Sequence, residues 1–298
     1  MTKRLPRNPL PEQFPLTAMT FKHTLKSWLV RHFMSYDGTG LIKALRAAGI
    51  KPGDTLMVHS SWLAMNGFRG KPADMVAALK QLVGPDGLLV MTSMPYHNMS
   101  SEQWLARGKP LDLKRSPSMM GMLSEVFRRS EGVLRSASPT HPLLAWGRDA
   151  RTFIQGHELT EYAFGPASPF AKLLYRDAWL LCVDAPFSTI TFTHFVEDRL
   201  SHTLAVPLYA PELRSGSVVE LDGTRHDRAV RVLSTQANAL RREGRLVARL
   251  ERDGVLKYLR VGNTKLLLIR AADLAKGAEG LAATGEHFFD RPAEGVVS

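Results

Sequence analysis

Short, wholly apolar runs recur directly after amphipathic helical stretches, and that alternation restricts the chain to a small set of folds. In the first cycle Thr39 caps a helix running through Ala48, Lys51-Pro52-Gly53-Asp54 makes a turn, and Thr55-Leu56-Met57-Val58 reads as a buried strand. In the second, Pro72 to Val83 is helical, Gly84-Pro85-Asp86-Gly87 closes it, and Leu88-Leu89-Val90-Met91 is the next strand. A strand that is apolar at every position has no face for water, so it needs a covering layer on both sides. The expectation is an α/β fold with a largely parallel central sheet flanked by helices.

The rest of the chain is organised around that unit. Residues 93–117 carry many polar and turn residues and little periodicity, as in a long loop over a site. Helix resumes from Ser118 to about Ser130, a strand follows around Leu143-Leu144-Ala145-Trp146, a helix starts at Asp149, and Trp179-Leu180-Leu181-Cys182-Val183 reads as a central strand. Two Asp-Gly pairs then signal hairpins. Ser217–Leu221 and Arg225–Val232 flank Asp222-Gly223, while Leu246–Glu251 and Leu256–Val261 flank Asp253-Gly254. The expected division is an arm and docking helix over 1–35, a single domain over 36–285, and a loosely held tail over 286–298. Within the domain, 36–205 is the α/β part and 206–285 an α+β portion containing β-hairpins. The arm carries Pro6, Pro9, Pro11 and Pro15, and the helix is the amphipathic stretch Phe21–Val30.

Composition narrows the function. The chain has 298 residues, with 39 Lys plus Arg against 28 Asp plus Glu and a formal charge of +11. The basic residues are scattered among acids, without a stripe interleaved with aromatics, which argues against a nucleic-acid partner. A mildly basic protein suits phosphate-bearing small molecules and repels polycations. No run approaches the roughly 18 to 20 apolar residues that span a bilayer, and prolines and charges occupy the first thirty residues where a secretion signal needs an apolar stretch. A cytoplasmic protein without a membrane partner is expected. Cys182 is the lone cysteine, set inside a strand, so it reads as a buried structural thiol and excludes an intramolecular disulfide or Cys-rich zinc site.

Three segments could carry chemistry. His59-Ser60-Ser61 directly follows a strand, where ligands bind in open α/β sheets and hydroxyls can hold a carbonyl, an amide or a phosphate. In Thr191-Phe192-Thr193-His194-Phe195-Val196-Glu197, a helix opened by Thr191 or Thr193 puts His194 and Glu197 at i and i+3 on one face. The carboxylate can then orient the imidazole as a general base. Leu134 to Pro142 is a hydroxyl-rich turn with one cation, Arg135, suited to phosphate or pantetheine contacts. His226-Asp227 reads as a solvated strand edge. Gly38-Thr39-Gly40 is not a dinucleotide fingerprint, because no strand precedes it and the third glycine is missing.

Taken in series, several segments resemble one family. They are Val58-His59-Ser60-Ser61, Val83-Gly84-Pro85-Asp86-Gly87, Ser116 to Leu123 with Phe127-Arg128, Arg135-Ser136, Pro166 to Leu173, and Thr193-His194-Phe195-Val196-Glu197. The chain resembles the aminoglycoside 3-N-acetyltransferases over roughly residues 38–270. The resemblance implies acyl transfer from acetyl-coenzyme A, or another acyl-coenzyme A, to an amine, with no metal. It implies His194 as the base on the acceptor and Glu197 as its acidic partner. It further implies that His59, Ser60, Ser61, Trp62 and Leu63 line the pantetheine and thioester, with Arg135, Ser136 and Ala137 beside coenzyme A. Ser168, Asp112 and Arg107 are the implied substrate-side residues.

Departures from the family pattern bear on the acceptor. Ser138 stands where the family has a histidine, with His141 three residues on, and the acids that usually precede the Asp112 stretch are replaced by Arg107 and Lys109. A carboxylate that follows the histidine motif in relatives has no single match among Glu220, Asp222 and Asp227. Like charges about 4 Å apart cost on the order of 1 kcal/mol in water and several times that in a cleft. The expected partners are therefore coenzyme A and a small-molecule amine less cationic than an aminoglycoside. Aminoglycoside resistance, O-acylation and a non-catalytic coenzyme A-binding role stay open, as does a homo-oligomer.

Overall fold

The computed structural model describes residues 28–30, 32–63 and 66–291. The proline-rich arm and most of the expected docking helix lie outside the described residues. The strands are β1 Thr55–Ser60, β2 Leu88–Thr92, β3 Leu111–Asp112, β4 Leu134–Arg135, β5 Leu143–Gly147, β6 Trp179–Val183, β7 Arg214–Val219, β8 Arg225–Val230, β9 Lys257–Val261 and β10 Thr264–Arg270. Besides the helical residues 28–30 and 32–33, the α-helices among the described residues are α1 Gly38–Ala47, α2 Pro72–Val83, α3 Ser101–Leu105, α4 Met122–Arg128, α5 Ala150–Ile154, α6 Pro169–Tyr175, α7 Thr193–Arg199, α8 Thr235–Leu240, α9 Glu243–Arg252 and α10 Ala271–Ala283. None is long and apolar enough to cross a membrane.

The α/β architecture is as expected. The main sheet has the order β4-β5-β2-β1-β6-β10-β9, with β1 parallel to both β2 and β6. Parallel pairing is concentrated in these three central strands; β5 and β4 on one side, and β10 and β9 on the other, add antiparallel pairs. Alternate residues of β1 serve opposite faces. Leu56 and Val58 pack with Leu41 and Leu45 of α1, Met75 and Leu79 of α2, and Leu123 and Phe127 of α4. Met57 packs on the other face with Phe153, Phe170, Phe195 and Leu274. Both faces are covered, which is why Leu56-Met57-Val58 at the middle of β1 is apolar without a break.

Local signals set several boundaries. Asp37, not Thr39, caps α1, accepting from the Gly40 amide at 2.8 Å. The turn at Asp222-Gly223 forms as expected, and β7–β8 joins β3 in a separate three-stranded sheet. The second expected hairpin does not form. Leu246–Glu251 lies within α9, where Leu246 and Leu250 bury one face at i and i+4, and Gly254 at φ 70° ends that helix. Leu256–Val261 instead contributes β9, which turns through Gly262-Asn263 into β10 and completes the main sheet. The loop over 93–117 contains α3 and β3. The expectation of a loose tail fails for residues 286–291: Phe288 and Phe289 are buried, and Asp290 pairs with Arg242 and Arg245.

Gly147 ends β5 at φ 128°, and a Cβ there would run into the Gly87 carbonyl oxygen. Gly147→Ala is expected to destabilise the protein by about 1 to 3 kcal/mol, read as a lower urea midpoint at unchanged m-value. An unchanged midpoint would show that this side of the sheet yields to the added methyl.

Candidate active site

From β1 the chain crosses to β2 on one side and later to β6 on the other, so the strand order reverses beside β1. In open α/β sheets the crevice at the strand C-termini beside such a reversal is where ligands bind. Here it holds a cavity of about 570 Å³ lined by Val58, His59, Ser60, Ser61 and Trp62 from the end of β1, Met91 and Thr92 of β2, and Ser188, Thr189, Thr191 and His194 after β6. Met94, Met119 and Met120 from the loop and turn above it supply apolar walls. A second cavity of about 330 Å³ lies alongside, and Met94, His97, Met120, His141 and His194 border both.

His194 sits in the first turn of α7, which begins at Thr193 as the hydroxyl pattern suggested. Its Nδ1 lies 2.9 Å from Glu197 Oε2. Glu197 is fully buried, and Arg241 clamps it, Nε donating to Oε1 and Nη2 to Oε2, both at 2.7 Å. Burial pushes the Glu197 carboxyl up, but His194 and then Arg241, by charge and by hydrogen bond, outweigh it and hold the group below the usual carboxylate range. An ionised carboxylate only accepts, so Nδ1 carries the proton and Nε2 is left with a lone pair. The 3.3 Å between Arg241 Nη2 and His194 Nδ1 separates two donors that share Oε2.

The second histidine of the shared wall is His141. Its ring contacts Thr140 Oγ1 at 3.0 Å and the Tyr96 hydroxyl at 3.3 Å, and its amide donates to Ser138 Oγ at 3.2 Å. Burial, aided by the charges of His194 and His157, lowers its pKa to about 3, so it is neutral beside the base. Phe164 lies with its ring 4.6 Å from His141 and 4.9 Å from His194. His59 is buried in the lining of the larger cavity, and burial lowers it to about 4. The Ser60 and Ser61 hydroxyls have no partner among the described residues, whereas the Ser61 amide is spent on Val183 O at 2.9 Å.

A family profile described as aminoglycoside 3-N-acetyltransferase matches residues 57–282. The chain belongs to this family. It is 32% identical over 194 residues to aminoglycoside N(3)-acetyltransferase III of Pseudomonas aeruginosa, covering 60% of this chain and 70% of the relative. Aminoglycoside N(3)-acetyltransferase IV of a Salmonella species is 28% identical over 257 residues, 86% of this chain and 90% of the relative. Among solved structures, AAC-IIIb with CoASH superposes with a TM-score of 0.70 at 25% identity, covering 87% of this chain and 99% of that one. A mutant of AAC(3)-IVa in complex with a gentamicin gives 0.69 at 25% identity, covering 89% and 95%.

Other residues singled out in the sequence lie away from this acetyltransferase cavity. Leu63 is 52% exposed and outside the lining. Arg135 is buried, with Nη1 donating to Ser116 O at 2.6 Å and Nη2 to Ser93 O, and burial lowers its pKa to about 9. It ties the overlying loop to the sheet instead of reaching into the crevice. Ser136 bonds the buried His157 at 2.9 Å and accepts from the Leu143 amide at 2.8 Å, which uses up its hydroxyl. Ala137 packs with Leu111, Leu113 and Val218. Ser168 is the fully buried N-cap of α6, Asp112 accepts from the Lys114 and Arg115 amides, and Arg107 is exposed beyond α3; none of the three lines either cavity. Glu220 and Asp222 border a separate cavity with Arg128, Arg135 and Arg151, and Asp227 bonds Ser217 on β8. Downstream of the histidine motif, the acid coupled by charge to His194 and Arg241 is instead Glu243, half-buried at the start of α9. Arg241 and Glu243 escaped the sequence reading, since nothing local marks a charge that acts across the fold.

Proposed function

We propose that this protein transfers the acetyl group of acetyl-coenzyme A directly to a primary amine of a small molecule, with His194 as general base. The observation that carries the reading is the placement of His194, held by Glu197 and Arg241, where two cavities meet. The larger one combines methionine walls with serine and threonine hydroxyls, which suits a pantetheine arm and its thioester. The smaller one is the acceptor side. The amine nitrogen attacks the thioester carbonyl carbon as its proton passes to Nε2, the C–N bond forms as C–S breaks, and the imidazolium hands that proton to the departing thiolate, so coenzyme A leaves as its thiol and the base is restored. The imidazolium that forms is stabilised by Glu197, already ionised and aimed at Nδ1. Hydroxyls near the end of β1 are placed to donate to the carbonyl oxygen as charge develops.

The acceptor is less cationic than an aminoglycoside. Arg107 and Lys109 do not supply the reason, since they lie outside both cavities. It is that, among the described residues, no Asp or Glu lines either one, and the only acid touching the base is fully buried and paired with Arg241. The relatives' names favour the second reading, acetylation of an aminoglycoside. Release of coenzyme A thiol, measured across neutral amines, amino sugars and gentamicin, separates the two. With each uncompensated like charge costing on the order of 1 kcal/mol or more, gentamicin is expected to show a kcat/KM at least about ten-fold below the best neutral amine. Faster turnover of gentamicin would establish the second reading.

A further inference from the structure

The smaller cavity carries a chemical preference of its own. Arg241 spends Nε and Nη2 on Glu197, leaving both N–H groups of Nη1 without a partner among the described residues, and the side chain borders the cavity. The ion pair is oriented, with its negative end fully buried and its positive end toward the cavity wall. Three residues before Arg241, Asn238 is exposed on α8, borders the same cavity, and its side-chain amide is unpaired among the described residues. A guanidinium edge and an amide N–H₂ are both donors, and a carboxylate is an acceptor with two oxygens to receive them. His194 Nδ1 lies 3.3 Å from Arg241 Nη2, so the base and the free donors open onto a space one small molecule can span.

We propose that this cavity takes a short amino carboxylate as acceptor, its carboxylate held by Arg241 Nη1 and Asn238 and its amine presented to His194. The inference rests on the acetyl-transfer reading for the role of the amine, but the carboxylate subsite stands or falls separately. Glu243, the remaining acid near the dyad, lies outside the lining and does not compete for the donors. A polycation gains nothing here, while an amine that carries its own anion brings the charge the site lacks.

The test compares glycine, β-alanine and γ-aminobutyrate with their carboxamides, on the full chain. The kcat/KM is read with saturating acetyl-coenzyme A, and affinity by calorimetry on the coenzyme A complex. Carboxylates are expected to exceed their carboxamides by about 10- to 100-fold in at least one pair. Asn238→Asp, which puts a carboxylate beside the one to be bound, is expected to remove most of that preference, read as the ratio of carboxylate to carboxamide kcat/KM within each pair. Turnover of carboxamides equal to or above that of carboxylates, indifference to Asn238→Asp, or no binding of any amino carboxylate would overturn the subsite. Binding that depends on Asn238 without turnover would keep the subsite and overturn the acetyl-transfer reading; turnover of neutral amines without carboxylate preference would do the reverse.

Discussion

Replacing His194 with alanine is expected to lower kcat/KM for amine acetylation by about 10²- to 10⁴-fold, the range lost when a positioned general base is removed. Coenzyme A affinity should stay unchanged, because the walls of the larger cavity come mainly from β1, β2 and the methionines above them. The size of the loss follows from the acceptor's state. An aliphatic amine is an ammonium at neutral pH and must shed a proton to attack, and Nε2 is the lone pair available at the junction of the two cavities. Among the described residues, His141 is the only other ring bordering both cavities with hydrogen bonds that fix it, yet its buried, low-pKa imidazole is a poor proton acceptor. His141→Ala is therefore expected to cost less than His194→Ala. The opposite order, or full activity in the His194 variant, would place the base elsewhere and undo the mechanism.

The parts of this fold that could be read from sequence are those in which local pattern and tertiary role agree. β1, β2 and β6 announce themselves because both their faces are covered, so Leu56–Val58, Leu88–Met91 and Trp179–Val183 are unbroken apolar runs. Asp253-Gly254 shows how a local signal can mislead. The dipeptide favours a hairpin turn, yet Asp253 bonds Arg249 one helical turn back and Gly254 is the left-handed residue that ends α9. The hydrophobic spacing of Leu246 and Leu250 carried the decisive information, and the true turn at Gly262-Asn263 sits eight residues further on. The antiparallel pairing of β5 with β2 and of β10 with β6 was not legible, since strand direction there depends on how long connections return.

The site divides in the same way. His194 and Glu197 are three residues apart on one helix, so their contact is written in the spacing. Arg241 is 44 residues beyond Glu197, and its clamp on the carboxylate exists only because α8 packs its end against α7. Arg135, Ser136 and Ser168 invite ligand roles as bare residue types. Folded, Arg135 and Ser136 are committed to carbonyls, an amide and His157, whereas Ser168 is removed by burial: it sits fully buried at the N-cap position of α6, its hydroxyl without a partner among the described residues. A polar residue in a motif is thus a ligand candidate only if its hydrogen bonds are not already committed within the fold.

That commitment has a cost in acid. His59 and His157 are each expected to contribute about 3 kcal/mol to a loss of stability between pH 6.5 and pH 4, beside a loss of the same sign from buried His141. Burial lowers both His59 and His157 from 6.5 to about 4, with Ala163 opposing and Lys172 reinforcing the shift at His157. In the unfolded chain both take up protons below pH 6.5, while in the folded state they stay neutral until about pH 4. The unfolded state therefore binds more protons throughout that window, and stability falls as pH falls. Above pH 6.5 the contribution is complete. His157 Nε2–H donates to Ala163 O at 3.0 Å and Nδ1 accepts from Ser136, so the neutral ring is the form this site holds. Urea unfolding at pH 7.5, 5.5 and 4.5 measures the slope. His157→Gln keeps a donor and an acceptor in place but does not titrate, and should remove about a third of the pH dependence; His59→Asn should remove a similar share, leaving that of His141. Slopes for both variants parallel to wild type would mean that acid sensitivity arises elsewhere.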